Sequence, residues 1–78
     1  MEFLVDLNKV EDVKMFCKMC EQFGVDVIVR NQDRKFAVDG SSIMALFSLD
    51  LSKPVIVHIE DEDTAKIFKN KVSKFVVK

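Results

Sequence analysis

Few side chains in this sequence could carry chemistry, and each has a plainer use beside the chemical one. His58 is the only histidine, and an imidazole can serve as base, nucleophile or metal ligand. It stands in the stretch PVIVHIE (54–60) on the face opposite Val55, Val57 and Ile59. No helix terminus and no arginine is expected to face it, so it reads as a partly exposed strand histidine. Cys17-Lys18-Met19-Cys20 has the spacing of a redox dithiol. Such a pair needs its first cysteine at a helix N-terminus, where the dipole stabilises thiolate. Here both thiols fall in the second half of a helix beside Phe16 and Phe23, which suits small core hydrophobes better. Two cysteines and one distant histidine supply too few ligands for zinc. The run Glu60-Asp61-Glu62-Asp63 lacks the glycine and spaced terminal glutamate of a calcium loop. Helix N-capping explains its charge, and no metal or cofactor is expected. Ser42 remains, at the head of a short apolar segment. Either Ser41, Ser42 or Asp39 caps that segment, or Ser42 offers a hydroxyl for phosphorylation.

The elements that must position these residues follow from periodicity. EFLVDL (2–7) alternates, a strand period. Asn8, with Glu11 three residues on, has the pattern of an N-cap and capping box. Val13, Phe16, Cys17, Cys20 and Phe23 recur at helical spacing from Lys9 to Phe23, and Gly24 stops that helix. VDVIVRN (25–31), with Val25, Val27 and Val29 on one face, and RKFAVD (34–39) form a hairpin around Gln32-Asp33. Gly40-Ser41 breaks the second strand before a short helix from Ser42 to Leu49. Pro54 opens a further strand over 54–60. A last helix runs from Asp63 to Phe75, burying Ala65, Phe68, Val72 and Phe75. Its acidic start and its Lys69, Lys71, Lys74 and Lys78 complement the helix dipole.

The order β-α-β-β-α-β-α predicts an α+β fold, an open-faced sandwich with three helices on one face of a four-stranded antiparallel sheet. At 78 residues the chain allows a single domain, 1–78. Hydrophobic residues at 49% and charged residues at 32% exclude a disordered chain, and a net charge of -1 gives no electrostatic reason to expect nucleic acid. No apolar run approaches the ~20 residues of a membrane span. Unpaired cysteines without a secretory signal point to the cytoplasm.

One segment carries a family resemblance. Lys35-Phe36-Ala37-Val38-Asp39-Gly40-Ser41-Ser42-Ile43-Met44-Ala45-Leu46-Phe47-Ser48-Leu49 follows a hairpin and opens the second helix. The order of elements and this segment resemble HPr, the phosphocarrier family of the bacterial phosphoenolpyruvate-dependent sugar phosphotransferase system. That family reads K-x-V-x-x-K-S-I-M-G-L-M-S-L at this place. The match covers the whole chain in element order but reaches motif strength only over 35–51. The family carries phosphate on a histidine in a G-[IL]-H-A-R-P segment at the start of the first helix. The corresponding Asn8-Lys9-Val10-Glu11-Asp12 has no His, Arg or Pro, and Glu11 and Asp12 place negative charge where the phosphoryl group would sit. The resemblance also places Ser42 at a position phosphorylated by a dedicated kinase in many members.

The expectation is therefore a divergent HPr-like protein with a degenerate phosphohistidine site, acting as a regulator or adaptor rather than an enzyme. A helix of eight residues on a sheet buries one stripe, assigned to Leu46 and Leu49. Ile43, Met44, Phe47 and Leu51 then form an outward patch that docks other proteins, such as phosphotransferase components, a serine kinase or regulators. The alternative is an active phosphocarrier with a displaced phosphoryl site. With the family's strand order, Leu4, Ile56 and Ile28 would line up on the uncovered sheet face. Glu2, Asp6, Asp26, Arg30 and His58 around them would keep that face wet, leaving a monomer or a weak homodimer.

Overall fold

Alternating β-branched residues build the sheet, and helices cover the face that carries the valines. The computed structural model describes residues 1–77; Lys78, expected beyond the last helix, lies outside them. The elements are β1 (Glu2–Val5), α1 (Val10–Phe23), β2 (Ile28–Arg30), β3 (Ala37–Asp39), α2 (Ile43–Phe47), β4 (Val55–His58) and α3 (Glu62–Lys71), with a 3₁₀ turn at Ser73–Phe75. The four strands form one antiparallel sheet in the order β1-β4-β2-β3. The fold is the open-faced α+β sandwich that the element order predicts.

On the inner face Phe3, Val5, Val29, Val55 and Val57 are buried under the helices. Phe16 and Phe68 are fully buried and meet edge to face at 5.9 Å, with Phe75 at 6.4 Å from Phe16 and Phe23 at 5.0 Å from Phe68. The inward residues fall where helical spacing puts them: Val13, Phe16, Cys17 and Cys20 of α1 and Ala65 and Phe68 of α3 are buried, and Phe23 is partly so. Val72 and Phe75 are buried too, but α3 ends at Lys71 rather than Phe75 and a 3₁₀ turn carries the chain on.

Several boundaries move. α1 begins at Val10, so Asn8 is one residue too early to cap it. Lys9 holds the N-cap position without a side-chain bond, and the capping box does not form. β2 begins at Ile28, because Gly24 ends α1 in a left-handed conformation (φ 78°) and Val25 and Asp26 only connect the two. Val25 is exposed rather than inward. α2 is five residues instead of eight. The amides of Ser48 and Leu49 bond back to Ala45 and Leu46, three residues earlier, and the Ser48 hydroxyl also donates to the Ala45 carbonyl. That tightening ends the helix as a 3₁₀ turn. α3 starts a residue earlier, capped by Asp61, whose carboxylate accepts from the Thr64 amide at 2.9 Å and its hydroxyl at 2.6 Å.

Two approaches lock the layers. Gly40 donates to the Val27 carbonyl at 2.7 Å, and a Cβ placed there would stand 2.9 Å from Cys20 Sγ and 3.2 Å from Val27 Cγ1. Only glycine lets the end of β3 come this near to α1. At the opposite edge β1 is closed by chain from beyond α3: Val5 bridges to Val76, and Val77 donates to the Leu4 carbonyl at 2.9 Å.

Candidate functional site

α2 divides its apolar residues between core and solvent, and it alone exposes two of them three residues apart; Val10 and Met15 of α1 and Ile67 of α3 are the exposed apolar residues of the other helices. Leu46 is fully buried and Leu49 nearly so, as one inward stripe requires. Met44 and Phe47, three residues apart and therefore neighbours on the helix surface, are 82% and 45% exposed. Ile43 and Leu51 are partly buried and lean on the core. The outward patch is thus narrower than the spacing suggests: Met44 and Phe47 form it, and Ile43 and Leu51 only border it.

The turn before α2 is organised by Asp39 and Ser41. The Asp39 carboxylate accepts from the Ser41 amide at 2.9 Å and the Ser41 hydroxyl at 2.7 Å. Those bonds hold the Asp39 carboxyl below its ordinary range. Ser42 occupies the N-cap position, yet its hydroxyl makes no capping bond. Ser42 itself therefore does not cap the helix through its side chain, the turn is tied by Asp39 and Ser41 instead, and the partly exposed Ser42 hydroxyl makes no capping bond.

The first turn of α1, where the resemblance would place a phosphohistidine, presents Glu11 and Asp12. Both complement the helix dipole and oppose an anion.

His58 has a more charged setting than the strand pattern implies. Its Nε2 lies 3.2 Å from Glu60 Oε2, and its Nδ1 lies 3.5 Å from Glu2 Oε2, which is ion-pair range but long for a hydrogen bond. Glu2 is itself gripped by Arg34 through two bonds, 2.9 and 3.2 Å. The Arg34 hydrogen bonds above all hold the Glu2 carboxyl below its usual value. Two carboxylates facing the imidazole repel an incoming phosphoryl group.

Arg34 belongs to the β2–β3 connection, which folds back across the outer face of the sheet as a strap. Gln32 Nε2 donates to the Pro54 carbonyl at 3.0 Å, and Asn31 exchanges two bonds with the Asp50 backbone. Arg34 adopts φ 59°, left-handed for a non-glycine residue. Beneath the strap, Ile56 is only 7% exposed although no helix covers it. The register also breaks the expected apolar stripe. Leu4 faces Ile56, but Arg30 stands on the other side of Ile56, and Ile28 pairs with His58. Leu4, Ile56 and Ile28 do not form one row. The polar stretch 31–34 carried no periodic signal that could have revealed the strap.

Cys17 and Cys20 are free and buried. Burial pushes the Cys17 thiol up, and pushes Cys20 up to about 12. A thiol so far from ionising is a poor nucleophile and a core residue. The acidic run is spent on α3: Asp61 caps it, and Glu62 and Asp63 lie in its first turn. Among the described residues no three His, Cys, Asp or Glu side chains converge as metal ligands, and no helix is long and apolar enough to cross a membrane.

No protein-family model matches the chain, and no curated protein matches it.

Proposed function

We propose that this chain is a cytoplasmic regulatory or adaptor protein related to the sugar phosphotransferase system. It docks another protein through Met44 and Phe47, with Ile43 and Leu51 at the border of the contact and Ser42 as its phosphorylation switch. The observation that carries the reading is the paired exposure of Met44 and Phe47 on a helix whose remaining large residues lean on the core. Two adjacent apolar side chains of this size are a natural anchor for a partner's pocket. The absence of His and Arg from residues 8–12, and the carboxylates around His58, favour an adaptor over a phosphocarrier. A phosphate on Ser42 would add roughly two negative charges beside Ile43 and Met44, opposing a partner with an acidic docking face and favouring a basic one.

Burying each of these side chains contributes about 1.5 to 3 kcal/mol. Met44→Asp and Phe47→Asp should therefore each weaken partner binding by more than about tenfold. Thermal stability should hold, because neither side chain is in the core. Pull-down followed by titration calorimetry checks the effect. Normal binding by both variants would move the interface elsewhere. Incubation with phosphoenolpyruvate and the general phosphotransferase enzyme separates the two family roles: an adaptor acquires no acid-labile phosphate, and labelling abolished by His58→Ala would restore the phosphocarrier.

A further inference from the structure

The two edges of the sheet are treated differently. β1 is closed by Val76 and Val77, whereas among the described residues β3 has no strand beyond it. The pairing of β3 shows which of its backbone groups face outward. Val27 and Gly40 continue the β2–β3 register, and Gly40 donates directly to Val27. Hydrogen-bonded and non-bonded pairs alternate along an antiparallel ladder. Val29 and Val38 are thus the next bonded pair, and the N–H and C=O of Ala37 and the N–H of Asp39 point away from β2. The Asp39 carbonyl is already taken by the Ser42 amide at 3.0 Å. Beside this edge Phe36 is 54% exposed, a large apolar ring more than half uncovered.

The geometry points to a second copy of this chain as the occupant of that edge, paired antiparallel about a two-fold axis through Ala37. In this register the two Ala37 residues exchange two backbone hydrogen bonds. Each Phe36 faces Val38 of the other copy, on the inner side of the sheet. Each Lys35 faces Asp39 of the other copy, so symmetry makes two ion pairs and two apolar pairs. Neighbouring registers lose this match. A slip of one pair in one direction sets Asp33 against Asp39, like against like; a slip in the other sets Lys35 against the neutral Ser41. The four-stranded sheet becomes eight-stranded. Asp39 keeps its charge because the Ser41 bonds hold its carboxyl low. A contact confined to residues 35–39 of each copy buries far less than the roughly 1,200 to 2,000 Å² of a stable interface, so the dimer is weak and concentration-dependent.

Sedimentation at low salt from about 10 μM to about 1 mM protein should show a monomer–dimer equilibrium that weakens as salt is added. Ala37→Pro removes an outward N–H, a change an edge strand tolerates, and should leave a folded monomer. Lys35→Glu sets like charges opposite each other and should weaken the dimer several-fold; it decides the matter if the proline variant fails to fold. Met44→Asp, on the α2 patch, should leave the dimer unchanged, which separates this surface from the docking site. A wild type monomeric at every concentration overturns the inference. So does a dimer that survives both edge variants, or one lost in Met44→Asp.

Discussion

The two faces of the sheet are protected by different forces. Along β4, Val55 and Val57 point inward and are sealed by Phe16, Phe68, Leu46 and their neighbours, a contiguous apolar core. Ile56, between them, points outward and is nearly as buried, but under a strap held by Arg34 on Glu2, Gln32 on Pro54 and Asn31 on Asp50. The inner face rests on area removed from water, which is non-directional and large. The outer face rests on exposed polar contacts, which are directional and individually weak. Stability should therefore reside in the inner layer, and the outer layer should loosen without unfolding the protein.

The hardest blow to the comparison is Phe68→Ala. It removes a ring buried at zero exposure between Phe16 and Phe23, and the transfer and cavity terms together cost about 3 to 5 kcal/mol. For a domain this small that should bring the protein close to unfolding, as chemical denaturation would record. A loss below about 1 kcal/mol would mean that the inner layer does not dominate. Gly40→Ala comes next. Its Cβ would press on Cys20 Sγ at 2.9 Å, an overpacking expected to cost about 1 to 3 kcal/mol. Adding Cys20→Ala should restore part of the loss, leaving the Val27 contacts at 3.2 Å unrelieved. Simple additivity in that cycle would place the strain elsewhere.

The smallest effect belongs to the strap. Glu2→Gln should leave the melting temperature nearly unchanged while the Ile56 methyl resonances and the Arg34 amide shift. Acid should act in the same way. The Glu2 carboxyl is lowered in the folded state from its ordinary 4.5, so its pairing with Arg34 contributes in full above 4.5 and is lost as pH falls through the lowered value. A pH titration followed by NMR would show the strap loosening before far-UV dichroism changes. Simultaneous loss of both signals would erase the distinction between the faces.

How much of this could be read in advance follows the same division. Helical spacing identified the fully buried residues of α1 and α3, though not Met19, which is partly buried against the core, and alternation identified the inward valines of β2 and β4, because area burial leaves a periodic trace. Val25 broke the rule: it continues the alternation of Val27 and Val29, but Gly24 turns the chain before β2 begins. The strap left no trace, since Arg34 and Glu2 stand 32 residues apart and polar residues in a connection have no period. The α2 patch was half visible. Spacing separated Leu46 and Leu49 from Met44 and Phe47, but not the lean of Ile43 and Leu51 onto the core. Alternation put His58 on the outer face, and only the register brought Glu2 beside it.

The strand order sets a timetable for folding. β1 is made first, yet its partners are β4 and the segment at Val76, so Glu2 waits for His58 and Val5 for Val76. The β2–β3 hairpin needs only nearby chain. During synthesis β1 must stay unpaired until Val55–His58 has emerged, and closing so long a loop is entropically costly and slow. Phe3, Leu4 and Val5 are meanwhile exposed together. The interval before β4 appears is when this protein is most prone to associate wrongly.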